Sequence, residues 1–176
     1  MTAFADLQKC RVVLDACTIA DWAAVRLARK ESRIEDCQQR WRASERCCEH
    51  LVKAQCRFPS TDRLIGEVLA AMRTRMSRVP RDQILNLQEE FEQVTTSELQ
   101  GTLAKDLERA LKQQIKNGRI EKKDEHVVRL ALKRSARGIL TADHGLASGV
   151  QGHRTIAGKT AAWHVLDADA ELSTQP

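Results

Sequence analysis

"EKKDEHVVRLALKRSARGILTADHGL" (residues 121–146) joins a run of helical periodicity to a short apolar strand, with an aspartate at each edge. Asp124 opens the helical run, which extends to about Ser135, and Asp143 follows the strand "GILTA". A helix feeding a β-branched apolar strand is one repeat of an α/β chain. The same signal recurs near the N-terminus, where "RVVLDA" (11–16) reads as a buried strand closed by Asp15. "TIADWAAVRLARK" then places Ile19, Trp22, Ala23 and Leu27 on one helical face.

Between these units the chain reads as mostly helical. A charge-rich helix is expected from about Ile34 to Ala54, then a brief strand at Cys56–Phe58. Ser60, Thr61 or Asp62 can cap the next helix, whose apolar positions are Leu64, Ile65, Val68, Leu69 and Met72. Pro80 ends it. Ile84, Leu87, Phe91 and Val94 form one further helical stripe, and Leu99, Leu103, Leu107, Leu111 and Ile115 another, stopped at Asn117-Gly118. Beyond Asp143 a glycine-bearing loop (145–158) leads to a last strand near "AWHVLD" and a short C-terminal helix. Strands separated by helices argue for a parallel sheet flanked by helices in one domain.

Composition bounds the function. The net charge of +5 suits a polyanionic partner, while 3% aromatics with no Tyr argues against base stacking as the main binding device. No apolar run approaches the roughly 20 residues that span a bilayer. "MTAFADLQK" lacks a secretion signal, so no membrane association and a cytoplasmic location are expected. The six cysteines then read as free thiols; Cys37, Cys47, Cys48 and His50 lack paired CxxC spacing, and small buried side chains suit them better than zinc.

In an open parallel sheet, ligands bind beyond the carboxyl ends of the strands. Asp15 and Asp143 end strands there. A helix antiparallel to its strands starts at that same rim, which brings Asp124 alongside. Clustered carboxylates repel until a counter-ion intervenes, and Mg²⁺ or Mn²⁺ prefers oxygen ligands. Such an ion makes water a better nucleophile and offsets charge on a phosphate, which points to a nuclease. Each acid also has a structural reading: Asp15 and Asp124 as helix caps, Asp143 as a turn residue before Gly145, Glu67 as a solvated helix position. Glu125 is an alternative ligand beside Asp124, and Glu45 and Glu49 are weaker substitutes on what reads as a solvated face. His126 and His144 lie near the acids. Lys122, Lys123, Arg129, Lys133, Arg134 and Arg137 concentrate positive charge near Asp124 and either hold phosphates or form a solvated basic face.

"VVLDACTI", "LIGEVLAAM", "DEHVVRLAL" and "GILTADHGL" together resemble the successive acidic motifs of PIN-domain nucleases. The resemblance covers most of the chain. It implies a PIN-like three-layer α/β/α sandwich with a central, mainly parallel sheet. The whole chain, 1–176, would form a single domain with helical elaboration at about 20–54 and 80–116. It further implies a Mg²⁺- or Mn²⁺-dependent ribonuclease with Asp15, Glu67, Asp124 and Asp143 as catalytic acids, the three aspartates as metal ligands, and Thr141 and Thr18 in support. Lys122, Lys123, Lys133 and Arg134 would take the RNA. Small members of the family often act as toxins restrained by an antitoxin-like protein inhibitor and often pair as homodimers. Two departures stand out: Ala16 and Cys17 separate Asp15 from the first hydroxyl, Thr18, and the stretch from Asp15 to Glu67 is long. They keep open a second reading, a catalytically weak PIN-like module that binds RNA or protein. A phosphoaspartate phosphatase fits the later acids less well.

Overall fold

A computed structural model describes residues 3–76 and 78–174, apart from the side chains of 83–85, 87 and 88. After a 3-10 turn at Phe4–Asp6, strand β1 (Val12–Leu14) leads into helix α1 (Ala16–Lys30). Helix α2 (Gln39–Lys53), strand β2 (Phe58–Ser60) and helices α3 (Asp62–Arg75) and α4 (Arg81–Glu90) follow. Strand β3 (Phe91–Gln93) and helices α5 (Thr96–Leu99), α6 (Lys105–Lys116) and α7 (Glu125–Lys133) come next. The chain closes with β4 (Gly138–Thr141), α8 (His144–Gln151), α9 (Arg154–Ala157), β5 (Ala161–His164) and α10 (Val165–Ser173).

All described strand pairs are parallel. β1, β4 and β5 form one ladder in that order, β2 and β3 another. An isolated parallel bridge, Arg11↔Arg57, joins the two, with Arg57 N–H donating to Cys10 O at 2.8 Å and Val12 N–H to Arg57 O at 3.0 Å. The continuous order is therefore β3-β2-β1-β4-β5. The chain winds outward in one direction through β2 and β3, then in the other through β4 and β5, so the order reverses between β1 and β4.

Strand alternation sorts the core onto both faces of this sheet. Val12, Leu14, Leu140 and Trp163 join one apolar cluster with Trp22, Cys47, Cys48, Leu51 and Met72. Val13, Ile139 and Ala162 join the other with Leu107, Leu111, Val128, Leu130 and Val150. Fully burying each such side chain contributes about 1.5–3 kcal/mol, so the sheet is held from both sides. Gly138 is required by close approach: a Cβ there would lie 2.0 Å from the Trp163 ring.

The expected strands at 11–16 and "GILTA", the Thr61 cap, the break around Pro80 and the stop at Asn117-Gly118 are all present. Several boundaries differ. Phe91–Gln93 is a strand, not the continuation of a helix, because β2 offers it a parallel partner. Phe91 and Val94 are buried, whereas the Ile84 and Leu87 side chains lie outside the described residues. The segment expected as a loop over 145–158 is largely α8 and α9: Gly149 packs where a Cβ would meet Arg119 O at 2.1 Å, and Gly158 caps α9. Its glycines serve packing and capping, not loop flexibility. The long helical stretch 34–54 starts as a 3-10 turn, with α2 proper beginning at Gln39.

Candidate acid rim at the strand-order reversal

β1 ends one residue before Asp15, and the chain must turn there to start α1. Asp15 adopts an extended backbone as the N-cap, and its Oδ1 accepts the Thr18 N–H at 2.7 Å. Its Oδ2 faces β4, where it accepts the Thr141 hydroxyl and the Ala142 N–H, the latter at 3.2 Å. The carboxylate thus clips the ends of two adjacent strands together. Thr141 Oγ1 also accepts the Asp143 N–H at 2.9 Å, so one hydroxyl connects Asp15 to Asp143. Thr18 Oγ1 lies beside the same carboxylate, close enough to steady its charge but out of line for a hydrogen bond. Thr141 and Thr18 both stand at the rim beside Asp15.

Asp143 caps α8 through Oδ1, which accepts the Gly145 and Leu146 N–H groups at 2.7 and 3.1 Å. Its Oδ2 has no hydrogen-bond partner among the described residues. Asp124 sits at the entrance to α7, half-buried, and its side chain makes no cap hydrogen bond. Burial pushes its carboxyl up from the ordinary 3.8 to about 6. The charges of Asp143, Glu121 and Asp15 raise it as well, against the nearby Lys123 ammonium. Burial also pushes Asp15 up, opposed by the hydrogen bonds from Thr141, Thr18 and Ala142. The three aspartates therefore share one electrostatic environment at the carboxyl end of the sheet.

Glu67 stands slightly apart. Arg63 Nε donates to its Oε1 at 3.1 Å, and His126 Nε2 lies 2.9 Å from Oε2. His126 Nδ1 is 2.7 Å from Lys123 O, so Glu67 reaches the start of α7 through His126 and does not itself enter the aspartate group. Glu125 is bound to Lys122 and Arg129. His144 pairs with Ser148 and leans on the His164 ring. Glu45 and Glu49 do not form a solvated face: Glu45 is buried in a two-pronged bond with Arg29, and Glu49 accepts Trp22 Nε1–H at 3.1 Å.

The basic residues expected to take substrate are already engaged. Lys122 meets Glu125, and Lys123 meets Glu121 at 3.0 Å. Lys133 bonds the Gln100 and Gly101 carbonyls, and Arg134 bonds Glu92 and Glu98. Lys133 and Arg134 end α7, so only Lys122 and Lys123 flank Asp124. The sequence reading also missed Asp21. It is fully buried in α1, where it accepts Arg40 Nε at 2.9 Å and Arg75 Nε at 2.5 Å, stapling α1 to α2 and α3. An aspartate set between Ala20 and Trp22 in an apolar run was the available signal.

The rim offers only hard oxygen donors, which suit Mg²⁺ or Mn²⁺. Burial raises the Asp15 and Asp124 carboxyls, and at Asp124 the neighbouring charges of Asp143, Glu121 and Asp15 add to it, a cost that a cation would offset. Among the described residues no three His, Cys, Asp or Glu side chains stand close enough to hold one metal ion together. A cation here would complete its shell with water and substrate phosphate, the usual habit of Mg²⁺. The cysteines are free thiols, four of them buried, and among the described residues no helix is long and apolar enough to cross a membrane. No family model, curated protein or solved structure matches the chain.

Proposed function

We propose that this chain is a PIN-like, metal-dependent endoribonuclease, a three-layer α/β/α sandwich that hydrolyses RNA phosphodiester bonds at the rim of Asp15, Asp143 and Asp124. The observation that carries the reading is the position of Asp15 and Asp143. They end adjacent parallel strands at the point where strand order reverses, where α/β sheets open a ligand crevice. Asp143 presents an unbonded oxygen there and Asp124 a carboxyl poorly satisfied by protein, and these two would hold Mg²⁺ or Mn²⁺. When bound, the ion supplies Lewis acidity toward phosphate and water.

The protein's own groups have separable roles. Asp15, fixed at both oxygens, positions the rim and adds negative charge behind it. Thr141 holds Asp15 and the Asp143 backbone in register. Asp124, half-buried with no cap hydrogen bond, is the carboxylate with most to gain from a bound cation. Glu67 acts through His126, positioning the start of α7. Lys122 and Lys123 flank the rim, and each would exchange a carboxylate partner for a phosphate oxygen of the RNA. An antitoxin-like inhibitor covering this rim and a homodimer belong to the same proposal.

Among the described residues no three acids surround one ion position, which favours a second reading, a catalytically weak module that binds RNA or protein. Labelled single-stranded RNA incubated with Mn²⁺, with EDTA, and with Asp143→Asn separates the two. The nuclease reading expects metal-dependent cleavage that the variant loses while still binding RNA. Equal binding by both proteins with no cleavage of any RNA or DNA would establish the module instead.

A further inference from the structure

Cys10 and Cys56 meet where the two ladders join. Each stands one residue before the Arg11↔Arg57 bridge, at the entry to its own parallel strand, so the two are lateral neighbours. Lys9 N–H donates to Ala54 O at 2.9 Å and Arg57 N–H to Cys10 O at 2.8 Å, which fixes that register on both sides of the pair. Strand alternation turns both side chains to one face, with Val12, Leu14 and Phe58, and their sulfurs lie 3.5 Å apart. Neighbouring parallel strands lie about 4.8 Å apart, inside the roughly 4.4–6.8 Å between α-carbons that a disulfide spans. Side-chain rotation alone can therefore bring the sulfurs to the bonded distance of about 2.05 Å.

Their surroundings sort the two thiols into separate roles. Cys56 is buried, whereas Cys10 is partly exposed and lines a cavity of about 550 Å³, the size of a small-molecule site. A small reagent thus reaches Cys10 first, with Cys56 waiting behind it. Burial pushes the Cys10 thiol up to about 12, the Cys56 sulfur adds to the rise, and the Arg137 charge opposes it. Little thiolate is present at neutral pH, so exchange at Cys10 is slow. Its end point is set by the nearness of the second thiol, which makes ring closure intramolecular between groups already held in place. The buried cysteines elsewhere are occupied differently: Cys47 donates to Val165 O at 3.6 Å, and Cys37 packs with Val25 and Ala28.

We propose that Cys10 and Cys56 form a reversible disulfide by exchange with a low-molecular-weight disulfide, locking β1 to β2 at the seam between the ladders. The Cys10 thiol gives its proton to solvent and attacks one sulfur of the small disulfide, forming a mixed disulfide and releasing one thiolate. Cys56 then loses its proton and attacks the Cys10 sulfur, closing the Cys10–Cys56 bond and releasing the second thiolate. The two released thiolates take up the two protons, and two electrons pass from the cysteine pair to the small disulfide. The pair lies at the other end of β1 from Asp15, so the proposal is independent of the acid rim. The reduced protein, equilibrated in mixtures of reduced and oxidised glutathione, acid-quenched, alkylated and peptide-mapped, tests it. The native chain should gain a Cys10–Cys56 linkage, half-formed at a glutathione ratio at least about tenfold more reducing than the same linkage requires in the urea-unfolded chain. The linked protein should melt about 5–10 °C above the reduced one. Cys56→Ser should halt at the mixed disulfide on Cys10, and Cys10→Ser should leave Cys56 unmodified. No linkage in native wild type, or one no easier to form than in the unfolded chain, overturns the proposal whether or not the variants fold. So does a linked protein that melts no higher than the reduced one.

Discussion

Replacing Asp124 with Asn should stabilise the metal-free protein above pH 6. In the folded chain this carboxyl titrates near 6, against an ordinary 3.8, because burial and the charges of Asp143, Glu121 and Asp15 disfavour its ionised form. The sign follows directly. Below 3.8 the group is neutral in both folded and unfolded chains, and its folded environment carries no penalty. As pH rises through 6 the folded protein must ionise it at a cost, and stability falls. A rise of about 2 pH units at 1.36 kcal/mol each corresponds to roughly 3 kcal/mol. Solvent screening at a half-buried site reduces this to on the order of 1–2 kcal/mol. Losing the favourable interaction of a carboxylate with the start of α7 returns about 0.3–1 kcal/mol. Urea denaturation in EDTA from pH 4 to 8 should therefore show Asp124→Asn more stable by about 1 kcal/mol at pH 8, with the gap closing toward pH 4. Mn²⁺ should reverse the order, since at a hundred times Kd a ligand adds about 2.7 kcal/mol to the protein that binds it. A variant equal to or weaker than wild type at pH 8 in EDTA would refute the account of a strained acid rim.

Thr141→Val keeps the shape of the strand end but removes the hydroxyl that links Asp15 to the Asp143 N–H; a loss of about 1–3 kcal/mol in chemical denaturation is expected. Asp21→Ala leaves two guanidiniums beside a buried cavity and should cost about 3 kcal/mol, the lower part of the range for broken buried pairs because Arg40 is partly exposed. Its melting transition should fall while α3→α1 packing, read by Trp22 fluorescence, loosens first. Gly138→Ala drives a methyl against the Trp163 ring, and thermal unfolding should register about 1–3 kcal/mol of overpacking.

Much of the scaffold was legible because burial on both sheet faces forces continuous apolar strands, and "VVL" and "GIL" are such runs. The acids at their ends could be placed at one edge from topology alone. β3 was not legible: three residues gain strand geometry from the neighbour that β2 provides, and that neighbour is over 30 positions away. The engagement of Lys133 and Arg134 was equally hidden, since their partners Gln100 and Glu92 reach them only through the fold. Glu67 matched its motif in position, yet Arg63 and His126 decide where its carboxylate points. The Cys10–Cys56 pair was invisible because residues 46 positions apart become neighbours only when β1 and β2 align.

The parallel arrangement also sets a timetable for synthesis. β1 emerges from the ribosome well before its partner β4, which follows only after more than a hundred further residues. Until then β1 has β2 on one side and an open hydrogen-bonding edge on the other. The clip between Asp15 and Thr141, spanning 126 positions, closes late. Contacts so distant make folding slow relative to a helical bundle of equal length. The nascent chain therefore passes through a prolonged interval with its central strand exposed, and the candidate site is assembled only once β4 has followed.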